Sequence, residues 1–157
     1  MIKEEKDQEN WKDLNLDDIR NTPIEEFYPF EETMILKAGN TEEEALDIVC
    51  KEFELIDGIY SRRIPINALQ NSWAMVSIDN LKHVVLKRSD ARERFSKLAH
   101  FTLLNPFEVW EVKYSDGSFR LVFIGIFRNS KNHILLILTI DINNNIQRWI
   151  RKFEQHL

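Results

Sequence analysis

Phe107-Glu108-Val109-Trp110-Glu111-Val112-Lys113-Tyr114-Ser115-Asp116-Gly117-Ser118-Phe119-Arg120-Leu121-Val122-Phe123 decides the fold. Two runs rich in β-branched and aromatic residues flank Asp116-Gly117, a strong short-range hairpin signal. A two-residue loop pairs Ser115 with Ser118 and, further in, Tyr114 with Phe119, Lys113 with Arg120, Val112 with Leu121, Glu111 with Val122 and Trp110 with Phe123. Side chains alternate along a strand. This register therefore predicts Trp110, Val112, Tyr114, Phe119, Leu121 and Phe123 on one face, packed on helices, with Glu111, Lys113 and Arg120 on the other.

Downstream, residues 133–142 form a nearly continuous apolar run, as expected of a central strand covered on both faces, with Thr139 its polar member. Asn143-Asn144-Asn145 reads as a turn. Residues 146–153 follow as a fourth antiparallel strand, with a short C-terminal helix as the alternative. Upstream, Asn105-Pro106 stops a helix that Ser89 or Asp90 caps, Glu93 completing a capping box and Phe95, Leu98, Ala99, Thr102 and Leu103 forming its buried stripe. Asp79 is the expected N-cap of a short helix over residues 80–87, whose His83 and Lys87 share a face and whose Leu81, Val84 and Val85 point to the core. Earlier still, Thr41-Glu42-Glu43-Glu44 is a capping box before Ala45, Ile48, Val49, Phe53 and Leu55, which predicts a helix over about 41–55. The fold class expected is α+β: N-terminal helices followed by a four-stranded antiparallel meander sheet.

The 157 residues carry a formal net charge of −5, unevenly distributed. Residues 1–57 hold 18 acids and 6 bases, residues 58–157 hold 8 acids and 15 bases. This predicts an acidic extension (1–58) containing one helix and a basic α+β domain (59–157). The basic part suits a polyanion, or else the two parts attract each other. The first 33 residues are acidic, which predicts mobility, while Trp11, Phe27, Tyr28 and Phe30 predict that parts dock; Leu14, Leu16 and Ile19 suggest a short amphipathic turn. The longest apolar run, residues 134–138, is too short to span a membrane, and the polar amino terminus is neither a secretory signal nor a transit peptide. No membrane association is expected, and cytoplasmic residence is the default. The single Cys50 excludes an internal disulfide framework and reads as a buried thiol. One cysteine and dispersed histidines make no closed zinc site, and no Gly-x-Ser-x-Gly or phosphate-cradling glycine loop occurs. No metal and no cofactor is expected.

The helix, then the basic segment of His83 and Arg88-Ser89-Asp90-Ala91-Arg92-Glu93-Arg94, then Leu104-Asn105-Pro106-Phe107-Glu108-Val109-Trp110 and an aromatic-rich sheet stand in a familiar order. Over about residues 60–155 the chain resembles the phage-type nuclease domains of the Barnase–EndoU–colicin–RelE superfamily. The resemblance implies metal-independent RNA cleavage, in which the 2′-hydroxyl attacks the adjacent phosphate. It implies catalytic roles for His83, Arg120 and Thr139, and contacts to RNA phosphates or bases from Lys87, Arg88, Arg92, Arg94, Lys113 and Trp149. It further implies a phage or mobile-element origin, in a host cell or with the virion, and an inhibitor or phage head protein as a partner of the acidic segment. The other reading is a catalytically inert relative that binds RNA or protein, or a phage structural component.

Overall fold

The computed structural model describes Glu4 and residues 21–154, with side chains through Arg151. Trp11, Leu14, Leu16 and Ile19 lie outside the described residues. The fold is α+β. Among the described residues, the second and third of three α-helices pack on one face of a five-stranded sheet, the first packs on those two, and a separate two-stranded hairpin stands beside them.

Helix α1 (Glu42–Glu52) begins where the capping box predicts. Thr41 Oγ1 accepts the amide of Glu44 at 3.1 Å, and the Glu44 carboxylate returns to the amide of Asn40 at 2.7 Å. Such a cap is worth about 1 kcal/mol. Helix α2 (Ile78–Val85) starts earlier than expected, because Ser77 rather than Asp79 is its N-cap, its hydroxyl accepting the amide of Asn80. The long helix expected after Ser89 is broken. Arg88–Asp90 and Arg92–Phe95 are single 3-10 turns, and α3 occupies Ser96–Leu104. The cause is Glu93, which turns inward instead of capping and leaves Ala91 between the turns in the left-handed region (φ 44°, ψ 49°).

Strands β4 (Glu108–Lys113), β5 (Phe119–Arg128), β6 (His133–Ile140) and β7 (Ile146–Glu154) form an antiparallel meander. The sheet is nevertheless mixed, not the four-stranded antiparallel sheet expected: β1 (Tyr28–Pro29) pairs parallel with the end of β5, Tyr28 opposite Phe127. Glu4 makes an isolated antiparallel bridge to Tyr114. Nor do the helices all precede the strands. Strands β2 (Ser61–Pro65) and β3 (Trp73–Ser77) form an antiparallel hairpin between α1 and α2. Of the two alternatives for the last segment, it is a strand.

The β4–β5 register differs by one residue from the sequence expectation. Trp110 pairs with Val122 and Lys113 with Phe119. Asp116 does not take the positive φ that a two-residue type I′ loop requires; Gly117 alone in this turn does, at 84°. The Asp116 carboxylate instead accepts the amide and hydroxyl of Ser118, and Tyr114 pairs with Ser118 across a three-residue loop. A slip of one exchanges the faces of one strand. Val109, Leu121 and Phe123 therefore meet the helices, whereas Trp110, Val112 and Tyr114 share the outer face with Arg120 and Val122. Tyr114 is accordingly not in the core but beneath the Arg120 guanidinium, 4.0 Å from its ring centroid.

Between the layers lie Phe123, Phe127, Leu136, Leu138 and Trp149 from the sheet, with Leu81, Val84, Val85, Leu98 and Leu103 from α2 and α3. Gly125 lets α3 approach, since a Cβ there would overlap Thr102 Oγ1. Phe30, Val49, Phe53 and Leu55, all before residue 58, belong to the same core as the basic part. Among the described residues no helix is long and apolar enough to cross a membrane.

Candidate nucleic-acid interface

Strand β7 is the outer strand of the sheet on the side away from β4, and α2 packs against it. The two 3-10 turns follow α2 along the same border. Two adjoining cavities open there, of about 430 and 460 Å³. The first is lined by Lys87, Ser89, Asp90, Arg92, Phe95, Arg148, Ile150 and Arg151. The second is lined by Asn80, His83, Arg92, Asp141, Ile146, Gln147 and Arg148. Arg92 and Arg148 border both, so the cavities form one cleft with two guanidinium groups at its waist.

Each element places its residues for a local reason. On α2, Leu81, Val84 and Val85 are buried, which leaves His83 exposed. Arg92 is held by its backbone: its carbonyl accepts the indole N–H of Trp149 at 2.9 Å. Its side chain is mostly enclosed, and Nη2 lies 3.1 Å from Asp90 Oδ2. Lys87 Nζ reaches the same carboxylate at 3.8 Å. The Arg151 guanidinium stands over the Phe95 ring at 5.0 Å. The Asp141 carboxylate is taken up by the amides of Asn143 and Asn145, shaping the turn before β7. Four permanent cations thus face two carboxylates. Arg92 Nε and Asn80 Nδ2 are buried with no acceptor among the described residues. A buried donor without an acceptor is costly, so its presence beside a cavity calls for a ligand atom or water.

Of the residues chosen from sequence, His83, Lys87 and Arg92 come together here. Arg88 does not face the cleft as a free cation. It grips the fully buried Glu93 through two bonds of 2.8 and 2.6 Å, and its Nη2 donates to the carbonyl of Gly39 at 2.9 Å. The amide of Gly39 closes the network on Glu93 at 3.0 Å. Burial alone would raise the Glu93 carboxyl; the Arg88 guanidinium and backbone amides outweigh it and hold Glu93 below the usual carboxylate range. Arg94 ties its segment to the carbonyl of Leu36 at 3.1 Å.

Trp149 is fully buried against Phe53, so its ring has no face for a base. Arg120 and Thr139 sit on the outer face of the sheet, Thr139 being 4% exposed between Val122 and Arg148. Arg120 is two strands in from β7, roughly 10 Å, and Lys113 is on β4 at the far edge. The structure does not bring these three to His83. Their assignment came from the resemblance; the register slip moves only Lys113 to the other face, and the sheet order puts β7, not β5, beside α2.

Arg148 and Arg151 were missed. Three residues apart on a strand, they fall on opposite faces, so no face pattern joins them; both reach the cleft only because β7 is the outer strand beside α2. Among the described residues no three His, Cys, Asp or Glu side chains gather as a metal site. Burial pushes the Cys50 thiol up, and Asp47 adds to this, so it is a poor nucleophile. Comparison with protein families, curated proteins and solved structures finds no match.

Proposed function

We propose that the cleft between α2 and β7 binds the phosphodiester backbone of RNA. The observation that carries this reading is the pair Arg92 and Arg148 at the waist of two adjoining cavities, with the Arg92 Nε buried and without an acceptor among the described residues. A guanidinium presents planar, paired donors that fit phosphate oxygens. Lys87 and Arg151 add charge on one side; His83, Asn80 and Gln147 offer hydrogen-bonding groups on the other.

Fluorescence anisotropy with a labelled RNA tests this. Binding should weaken steeply with salt, and Arg148→Gln should lower the slope of log K against log salt by about 0.7, one single-strand phosphate contact. Binding that is indifferent both to salt and to Arg148→Gln would sink the proposal.

One observation favours a second reading, cleavage: His83 lines the same cavity as Arg92 and Arg148. Its imidazole would take the 2′-hydroxyl proton as the 2′-oxygen bonds to phosphorus and the bond to the 5′-oxygen breaks. The departing 5′-oxygen, on the opposite side of phosphorus, would take its proton from solvent, leaving a cyclic phosphate. His83→Ala should abolish cyclic-phosphate products while RNA binding persists. Products that persist in His83→Ala would reject this role.

A further inference from the structure

The hairpin of β2 and β3 presents an aromatic platform next to this cleft. Its inward side chains are Ile64, Ala74 and Val76, all buried. Its outward face carries Arg63 and Trp73. Trp73 is 45% exposed, and the Arg63 guanidinium lies 4.7 Å from its ring centroid. The free edge of β3 is joined to the turn that shapes the cleft: the Met75 amide donates to the carbonyl of Asn144 at 2.7 Å, and Met75 bridges Asn145. Asn145 is followed directly by Ile146 and Gln147, which line the cleft. Trp73 stands two residues along β3 from Met75, roughly 7 Å from that contact with the turn.

We infer that Trp73 and Arg63 form a base-stacking subsite at the Asn80 end of the cleft, and that the RNA bound there is single-stranded. The inference rests on the RNA-binding reading above and gives it a substrate class. An indole with a cation on its face offers a base both stacking and charge, and stacking is available to a base that has left a duplex. Bases in an intact A-form helix stay stacked on one another.

The test titrates the full chain with a short labelled single-stranded RNA, with the same sequence as a duplex, and with inorganic polyphosphate. Trp73→Ala should weaken single-strand binding about tenfold or more, the loss expected for one stacked base. Duplex and polyphosphate binding should be unchanged, and Trp73→Phe should retain most of the single-strand affinity. Wild-type binding to the single strand with no loss in Trp73→Ala overturns the subsite and leaves the cleft standing. Equal losses for single strand, duplex and polyphosphate also overturn it, because they report damage to the hairpin. If the wild-type chain binds no RNA, the cleft reading falls and the subsite with it.

Discussion

Ala91 occupies a conformation that an L residue adopts at a cost. Its φ of 44° and ψ of 49° crowd the Cβ against the backbone, worth about 1–2 kcal/mol. The strain lies between Asp90 and Arg92, which both line the cleft. Glu93 must turn in to Arg88 while Arg92 stays at the cavity, and the kink at Ala91 allows both. Ala91→Gly should relieve the strain. Part of the gain is offset by the freer unfolded chain, roughly 0.5–1 kcal/mol. The net expectation is a modest rise in melting temperature, within about 2–4 °C. Ala91→Val should lower it, since a branched side chain tolerates positive φ worst. Thermal unfolding of both variants decides; a Gly variant that melts below the Val variant would contradict the account.

Between elements, the Arg88–Glu93 pair fastens residues 36–40 to the 3-10 turns. Gly39 is also needed for the close passage of this segment against the start of α1, because a Cβ there would come within 2.6 Å of the Ala45 amide nitrogen. Arg88→Ala leaves a carboxylate buried without its partner and should cost about 3–5 kcal/mol. Replacing both as Arg88→Met with Glu93→Leu should recover most of that. The pH dependence has a definite sign. The folded-state pKa of Glu93 is lowered, so its contribution is present above the unfolded value, about 4.3, and is lost as pH falls through the folded one. Glu52 acts in the same direction. Burial would raise it, but hydrogen bonds from His100 at 2.8 Å and Lys97 at 3.2 Å hold it below the usual range. Urea unfolding across the acid range should show a shallower loss of stability in the double variant, with the slope from Glu52 remaining. An acid limb as steep as wild type would rule out Glu93 as its source.

These elements also show what could be read from the chain. The capping box at Thr41, the apolar stripe of α2 and the run of β6 were legible because each is a local pattern. The hairpin was legible too, but not its register, which turned on whether Asp116 would take a positive φ or use its carboxylate on Ser118. His83, Lys87 and Arg92 were legible as a cationic segment. Arg88 looked equivalent to them, and its diversion to Glu93 depends on a loop 49 residues away. Arg148 and Arg151 became visible only through the order of strands, a long-range property.

At the scale of the whole molecule the uneven charge has two explanations at once. Acids of the first part do meet bases of the second: Glu52 with Lys97 and His100, Glu54 with Arg62 at 3.4 Å. The cleft cations Lys87 and Arg92 instead pair with Asp90, a residue of their own segment. The acidic stretch also contributes far more than charge. Phe30, Ala45, Val49, Cys50, Phe53 and Leu55 belong to the core that α2, α3 and the sheet complete. Phe53 lies 4.8 Å from His100 and 5.9 Å from Trp149, ring centroid to centroid. Burying a large apolar side chain stabilises by about 1.5–3 kcal/mol, and a typical domain is stable by only about 5–15 kcal/mol. Removing these six at once exceeds that margin even after allowance for the smaller ones. A fragment of residues 59–157 should therefore lack a cooperative thermal transition and near-ultraviolet circular dichroism, although it retains every residue that lines the cleft. Adding residues 21–58 back in the same chain should restore both. A fragment of residues 59–157 that melts cooperatively would mean that the basic part carries a sufficient core of its own, and that α1 is an appendage rather than one wall of the molecule.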